Sequence, residues 1–215
     1  MKYLTEYLKH LEVNIAQEYN PEVLSVADDS RLVGPGTIFC AIKGENIDGH
    51  KFIPQAVKAG AVAIVCSDSD CYVPNGVVKV VVQDAYAANA LLWECYYDYP
   101  GRELGIIAIT GTNGKTTTAF MLKQLMQTAG LRCGLITTVK YDLGQGEMDA
   151  ERTTPMPGDL HRMFRDAVDA GCTHLVMEAS SHGLAQRRLG RTPVKTAVFT
   201  NLSGDHLDYH RTMEE

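Results

Sequence analysis

The run Leu104-Gly-Ile-Ile-Ala-Ile-Thr110 reads as a buried strand, and Gly111-Thr112-Asn113-Gly114-Lys115-Thr116-Thr117 follows it directly. A strand that ends in a glycine-turned loop and restarts as a helix calls for a parallel sheet with covering helices. The glycines let the backbone turn with no Cβ in the way and aim successive N–H groups at phosphate oxygens. The helix that starts there adds its unsatisfied N–H groups and the positive end of its dipole. Lys115 reaches the outer phosphates of a nucleotide, and the Thr116 hydroxyl suits Mg2+. A strict phosphate-loop pattern needs a glycine five residues before Gly114, where this chain has Ile109, so the loop is a shortened variant.

Strand–helix alternation continues downstream. The spacing predicts a helix at Lys115–Ala129, a strand at Cys133–Val139, a Gly/Asp/Glu-rich loop from Asp142 to Glu151, a helix at Pro157–Ala170, and strands at His174–Met177 and Lys195–Thr200. Upstream, Tyr3, Leu4, Tyr7, Leu8 and Leu11 predict an amphipathic helix that Asn20-Pro21 ends. Strands are expected at Val23–Val26, Thr37–Ile42, Val62–Cys66 and Val77–Val82, with helices at Phe52–Ala59 and Ala85–Tyr97. The second of these helices ends in the aromatic cluster Trp93, Tyr96, Tyr97 and Tyr99, read as core or interdomain packing. Pro100-Gly101 then breaks the chain, which puts a domain boundary between residues 1–99 and 100–215.

Composition removes several function classes. A net charge of −6 argues against general nucleic-acid binding, where a basic face is expected. No apolar run approaches the roughly 18 residues of a membrane helix. Lys2, Glu6, Lys9 and Glu12 interrupt the apolar residues at the N-terminus, so a secretory h-region is not expected there. The chain is expected to be soluble and not exported. The six cysteines (40, 66, 71, 95, 133 and 172) are scattered without a C-x-x-C and read as packed thiols of a reducing compartment.

Two polar clusters follow later strands, where open parallel sheets bind ligands. Glu178, Ser180, Ser181, His182, Gln186 and Arg188 come after the strand ending at Met177. A carboxylate there, near a phosphate loop, is placed for Mg2+, while hydroxyls and an arginine suit a substrate anion. Asp205-His206-Leu207-Asp208-Tyr209-His210 follows Thr200 and reads either as a metal-ligand string or as a helix cap. Arg152, Thr153 and Thr154 offer a guanidinium and hydroxyls to an anion, or form a turn.

Taken together, Thr110–Thr118, Thr153-Thr154-Pro155, Met177–Leu184 and Thr200–His210 resemble, in order and spacing, the Mur ligases, in particular their MurE-type branch. Asp29-Ser30-Arg31, Pro35-Gly36, Phe39, Asp48-Gly49 and Ala56…Gly60-Ala61 resemble that branch's uridine-nucleotide domain. The resemblance implies an α/β protein: a small uridine-nucleotide-binding domain followed by an incomplete P-loop parallel-sheet ATPase domain. It implies an ATP- and Mg2+-dependent amide ligase of peptidoglycan precursor synthesis, in the cytoplasm. Such an enzyme adds a diamino acid to UDP-MurNAc-L-Ala-D-Glu through an acyl phosphate, with neither membrane nor nucleic-acid partner. On the same basis Gly111 to Thr117 hold ATP, with Lys115 on the β/γ-phosphates. Thr116 and Glu178 bind one Mg2+ and His206 a second, and Lys115, Glu178 and His206 carry the chemistry. Ser30 and Glu45-Asn46 meet the UDP moiety, and Arg152, Thr153, Thr154, Ser180, Gln186 and Arg188 meet the muramoyl peptide. Asp28 and Glu45 depart from the family pattern, since an acid beside a diphosphate is unfavourable unless backbone atoms make the contact.

The resemblance also leads one to expect an N-terminal piece. The rest of the ATPase domain, the family's carbamylated lysine and a third domain that takes the amino acid would follow Glu215. The shortened sheet would show an apolar edge, and substrate recognition would be kept better than ATP turnover. Two other readings remain open: a folate-polyglutamylating ligase, which the domain before Pro100 argues against, and a non-catalytic nucleotide-binding module.

Overall fold

The computed structural model describes residues 2–11, 13, 19–204 and 206–212. The chain divides into two compact units, Met1–Asp98 and Tyr99–Glu215. No helix among the described residues is long and apolar enough to cross a membrane.

In the first unit β1 (Lys2–Tyr3) leads into α1 (Leu4–Leu8), and β1 pairs antiparallel with β2 (Glu22–Val23). The helix buries Leu4, Tyr7 and Leu8 and then stops, much shorter than the apolar spacing to Leu11 predicts. The chain turns where Leu11 N donates to Leu8 O, and Asn20 folds back to bond Thr5 N and Thr5 Oγ1. Residues 12 and 14–18 of the expected helical stretch lie outside the described residues.

The expected strand Val23–Val26 is also divided. Leu24 turns out to solvent, and β3 (Ser25–Ala27) joins a different sheet. That sheet continues through β4 (Thr37–Ala41), crosses by α2 (Ile53–Ala59) to β5 (Ala61–Cys66), then reaches β6 (Val78–Val81) and α3 (Ala85–Tyr96). Its order is β3-β4-β5-β6, all parallel. The unbroken apolar runs of β4 and β5 fit a sheet covered on both faces. Ile38, Phe39, Cys40, Ala63, Ile64, Val65 and Cys66 are at most 1% exposed. Each larger aliphatic or aromatic side chain so buried contributes about 1.5–3 kcal/mol. Asp84 caps α3 by accepting from Ala87 N.

The second unit holds β7 (Gly105–Thr110), α4 (Lys115–Thr128), β8 (Cys133–Ile136), β9 (Lys140–Asp142), β10 (Glu147–Asp149), α5 (Pro157–Asp169), β11 (His174–Glu178), α6 (Ser181–Ala185), β12 (Val194–Phe199) and α7 (Leu207–His210). The sheet order is β10-β9-β8-β11-β7-β12. Strands β8, β11, β7 and β12 are parallel. The expected Gly/Asp/Glu-rich loop is instead the hairpin β9–β10, paired antiparallel. Its signal was hidden by acidic residues, yet Lys140 lies opposite Asp149 and their side chains pair at 2.6 Å.

Leu160, Met163, Phe164 and Ala167 recur on one face of α5 and cover one side of the sheet with Ile106, Ile136, Leu175 and Met177. Ala119 of α4 packs on the other side with Ile109, Leu135 and Val176. Strand β12 forms an edge, largely exposed, with Phe199 at 64%. β11 and β12 flank β7 on opposite sides, so the connections reverse there. That is the switch point at which such sheets open a crevice outside their carboxyl ends.

Candidate active site

Four segments converge at that carboxyl edge: the glycine loop after β7, Thr137-Thr138 after β8, Glu178 at the end of β11, and Thr200–Ser203 after β12. Gly111 and Gly114 have φ of +124° and +87°, a region L side chains rarely enter. A Cβ on Gly111 would sit 2.2 Å from Thr200 Oγ1 and 2.7 Å from Asn201 O. The loop is thus pressed onto the segment that follows β12. Thr112 N donates to Asn201 O at 2.9 Å and Asn113 N to Asn201 Oδ1 at 3.1 Å. Thr200 Oγ1 and Asn201 Nδ2 donate to Asn113 O, and Ser203 N to Thr112 Oγ1. Of the successive loop amides expected to face phosphate oxygens, those of Thr112 and Asn113 brace the loop against Asn201 in this structure. The amides opening α4 (Lys115, Thr116 and Thr117) remain as the helix-start donors. Lys115 Nζ folds back onto Gly111 O at 2.6 Å and Thr112 O at 2.9 Å.

Glu178 is 1% exposed. Its Oε1 accepts from Thr116 Oγ1 at 2.8 Å and from Thr138 N at 3.1 Å, and its Oε2 from Thr138 Oγ1 at 3.0 Å. A buried carboxylate beside a hydroxyl, held by neutral donors, is the oxygen set a hard divalent cation takes. Thr138 is aimed by its neighbour: the Thr137 hydroxyl accepts from Val139 N and Lys140 N, closing the turn from β8 into β9. Thr138 Oγ1 also bonds Thr153 Oγ1 at 3.0 Å, which brings Thr153 to the carboxylate.

The other expected ligand residues separate by role. The Thr154 hydroxyl is buried between Glu178 O and Ser180 N, at 2.9 Å from each. The Ser180 hydroxyl caps α6 through Gly183 N. Arg188 is buried: its guanidinium donates to Thr154 O at 2.5 Å and to Gln186 Oε1 at 2.8 Å. Arg152 is held at its backbone, where N and O both bond the Tyr141 hydroxyl. His206 is exposed, its ring 4.6 Å from that of His182 on α6. Tyr209 packs on His182 as well, so this segment lies on α6. Asp205 is outside the described residues. Among the described residues no three His, Cys, Asp or Glu side chains cluster closely enough to hold a metal ion.

In the first unit Ser30 is buried, its hydroxyl donating to Gln55 Oε1 at 3.2 Å. Glu45 and Asn46 are exposed in a turn that Gly44 N closes onto Ile47 O. Asp28 accepts from Asn89 Nδ2 at 2.9 Å. These three sites follow β3 and β4 at the carboxyl edge of their own sheet.

Comparison with known proteins finds a family match in each of the two units. Residues 109–215 match the Mur ligase middle domain, and residues 5–93 match the Mur ligase family catalytic domain. The chain belongs to the Mur ligase family. It is 44% identical over 193 residues to the UDP-N-acetylmuramoyl-L-alanyl-D-glutamate–2,6-diaminopimelate ligase of Chlorobaculum tepidum, covering 90% of this chain and 38% of that protein. It is 45% identical to the enzyme of the same name from Geobacillus thermodenitrificans, over 91% of this chain and 40% of that one. A solved structure of a ligase with that name superposes with a TM-score of 0.78 at 30% identity, over 97% of this chain and 42% of the other. MurF ligase from Thermotoga maritima, solved with ADP, superposes at 0.54 with 25% identity, over 88% of this chain and 40% of its own. This Mur ligase chain therefore spans about two fifths of the length of the curated relatives it matches.

Two parts of the site in this Mur ligase chain are not legible as such in its sequence: Thr138, and the brace that Thr200, Asn201 and Ser203 supply to the glycine loop. The second had a visible signal, a polar Thr-Asn-Leu-Ser run directly after a strand. Thr138 had none, because a threonine in a β-rich run reads as strand.

Proposed function

We propose that this chain binds UDP-MurNAc-L-Ala-D-Glu through its first unit and ATP through its second. We propose further that, with the remaining length of its relatives, it serves as an ATP-dependent ligase adding 2,6-diaminopimelate during cytoplasmic peptidoglycan precursor synthesis. The added amino acid comes from the names of the relatives at 44% and 45% identity. The observation that carries the reading is the Thr116–Glu178–Thr138 cluster at the first turn of α4.

Lys115 turns from its own loop carbonyls to the β/γ-phosphates, exchanging two neutral acceptors for charged ones. The Lys115, Thr116 and Thr117 amides meet the phosphate chain at the helix start. Thr116 and Glu178 hold Mg2+, which neutralises charge on the transferring phosphoryl group. The muramoyl-peptide carboxylate attacks the γ-phosphorus and displaces ADP. The amine of the incoming amino acid then displaces phosphate from the acyl phosphate and closes the amide. Thr153 lies beside the metal carboxylate and lines the peptide path with Ser180, Gln186 and Arg152. Thr154 and Arg188 hold that wall from behind, and His206 approaches from the α6 side. Ser30 and the backbone of Glu45-Asn46 receive the uridine diphosphate.

Calorimetry on the 215-residue chain tests the binding assignments. UDP-MurNAc-L-Ala-D-Glu should bind without nucleotide, and ATP should bind more tightly with Mg2+ than without. Tight ATP binding with no binding of the UDP substrate would refute the assignment of the first unit. A phosphate-release assay on the longer protein, run with diaminopimelate and with lysine, tests the added amino acid.

A further inference from the structure

Strands β5 and β6 are parallel neighbours, and such pairs are ordinarily joined through a helix. Here residues 67–77 make the crossing without one. Two devices hold this loop to the sheet. Lys79 Nζ on β6 donates to Ser69 O at 2.5 Å and to Cys71 O at 2.6 Å. Cys71 in the loop brings its sulfur to 3.3 Å from that of Cys66, the last residue of β5. A disulfide needs roughly 2.05 Å, so little more than about an ångström of approach separates the pair from bonding.

We propose that Cys66 and Cys71 are an oxidative modification site, closing to an intramolecular disulfide on reaction with a small oxidised disulfide of the glutathione type. Cys71 is the half-exposed member, while Cys66 is fully buried. Burial, then the hydrogen bond and charge of Cys71, push the Cys66 thiol up to about 12. Cys71 is therefore the thiol that attacks first. Its thiolate takes one sulfur of the small disulfide and releases one small thiol, leaving a mixed disulfide. The Cys66 sulfur then attacks Cys71 and releases the second small thiol. Two protein thiols are oxidised, one small disulfide is reduced to two thiols, and the two protons leave with them. The charge of Lys79 favours the Cys66 thiolate this second step needs. Cys40, Cys95, Cys133 and Cys172 are buried, and burial raises the first, third and fourth of these thiols.

The bond would tether the loop at the carboxyl edge of the sheet, the edge from which the Ser30 and Glu45-Asn46 segments also emerge. To test it, the folded 215-residue chain is incubated with glutathione disulfide, then denatured, alkylated and cut with trypsin. The tryptic peptide 59–79 contains both cysteines. The proposal expects this peptide lighter by two hydrogens and without alkyl groups, while peptides carrying the other four cysteines are alkylated. Cys71→Ser should leave Cys66 alkylated, and Cys66→Ala should stop at a glutathione adduct on Cys71. Recovery of peptide 59–79 with both thiols alkylated, or of a lasting adduct on Cys71 in the unsubstituted chain, would overturn it. The Cys71→Ser arm alters a half-exposed loop residue, so it remains informative should Cys66→Ala fail to fold.

Discussion

Thr116 Oγ1 donates to Glu178 Oε1 at 2.8 Å, joining the first turn of α4 to the carboxyl end of β11. The two groups come from residues far apart in the chain and meet because β11 lies beside β7, with the loop between β7 and α4 rising over the same edge. The metal chemistry proposed for this chain depends on that adjacency. Each group is already oriented by the fold, so a cation binding there has little ordering left to do.

Thr138 should act on the metal through Glu178. Thr138→Val removes a hydroxyl that donates to a carboxylate, a bond worth about 1.5–3 kcal/mol. ATP–Mg2+ affinity is expected to fall roughly 10- to 100-fold, while ATP without Mg2+ binds as before. Thr138→Ser should restore the difference, and calorimetry at matched nucleotide concentrations reads it.

Lys115→Ala should abolish ligation in the longer protein, by on the order of a hundredfold or more. UDP-substrate binding should persist, because Lys115 lies in the second unit and the proposed uridine contacts lie in the first. Phosphate release and substrate calorimetry on the same variant check both halves.

Gly111→Ala forces a side chain into φ +124° and against Thr200 and Asn201. Backbone strain of this kind costs about 1–3 kcal/mol before the clash is counted. The urea midpoint of the second unit should drop, and nucleotide binding should weaken with it. A variant with an unchanged midpoint would show that the loop is not braced by the segment after β12.

His161 supplies a pH dependence. It is wholly buried on α5, stacked edge-on to Phe164 at 5.5 Å, and among the described residues neither ring nitrogen finds a hydrogen-bond partner. Burial pulls its pKa down to about 3. Above the ordinary histidine value both folded and unfolded chains hold it neutral. Below that value the unfolded chain takes up a proton that the folded one refuses, so stability falls as pH drops toward 3. Between pH 7.5 and 5 the loss from this residue is about 2 kcal/mol. Urea titrations should show His161→Leu losing less stability over that interval than the unsubstituted chain.

Much of the second unit was legible because its signals are local. A buried run followed by Gly-Thr-Asn-Gly-Lys-Thr names a strand, a turn and a helix start within a few residues, and α5 shows its buried face through Leu160, Met163, Phe164 and Ala167. What escaped was decided by distant partners. The β9–β10 hairpin carries acidic and glycine residues that favour a loop, and only pairing across the strands makes it a sheet edge. Leu24 looks like the middle of one strand, yet neighbours in two sheets split the run around it. The thiol contact between Cys66 and Cys71 matches no spacing motif, since it arises from a crossing that lacks a helix. Arg188 reads as a ligand for an anion but is buried against Thr154 and Gln186, a commitment that depends on residues before and after it in the fold.

The Asn201 brace has a bearing on the order in which the molecule becomes competent. Asn113 and its partner are 88 residues apart, so during synthesis the glycine loop leaves the ribosome long before the segment that shapes it. Until that later stretch emerges, the glycine loop of the nascent chain lacks the partner that holds its Thr112 and Asn113 amides.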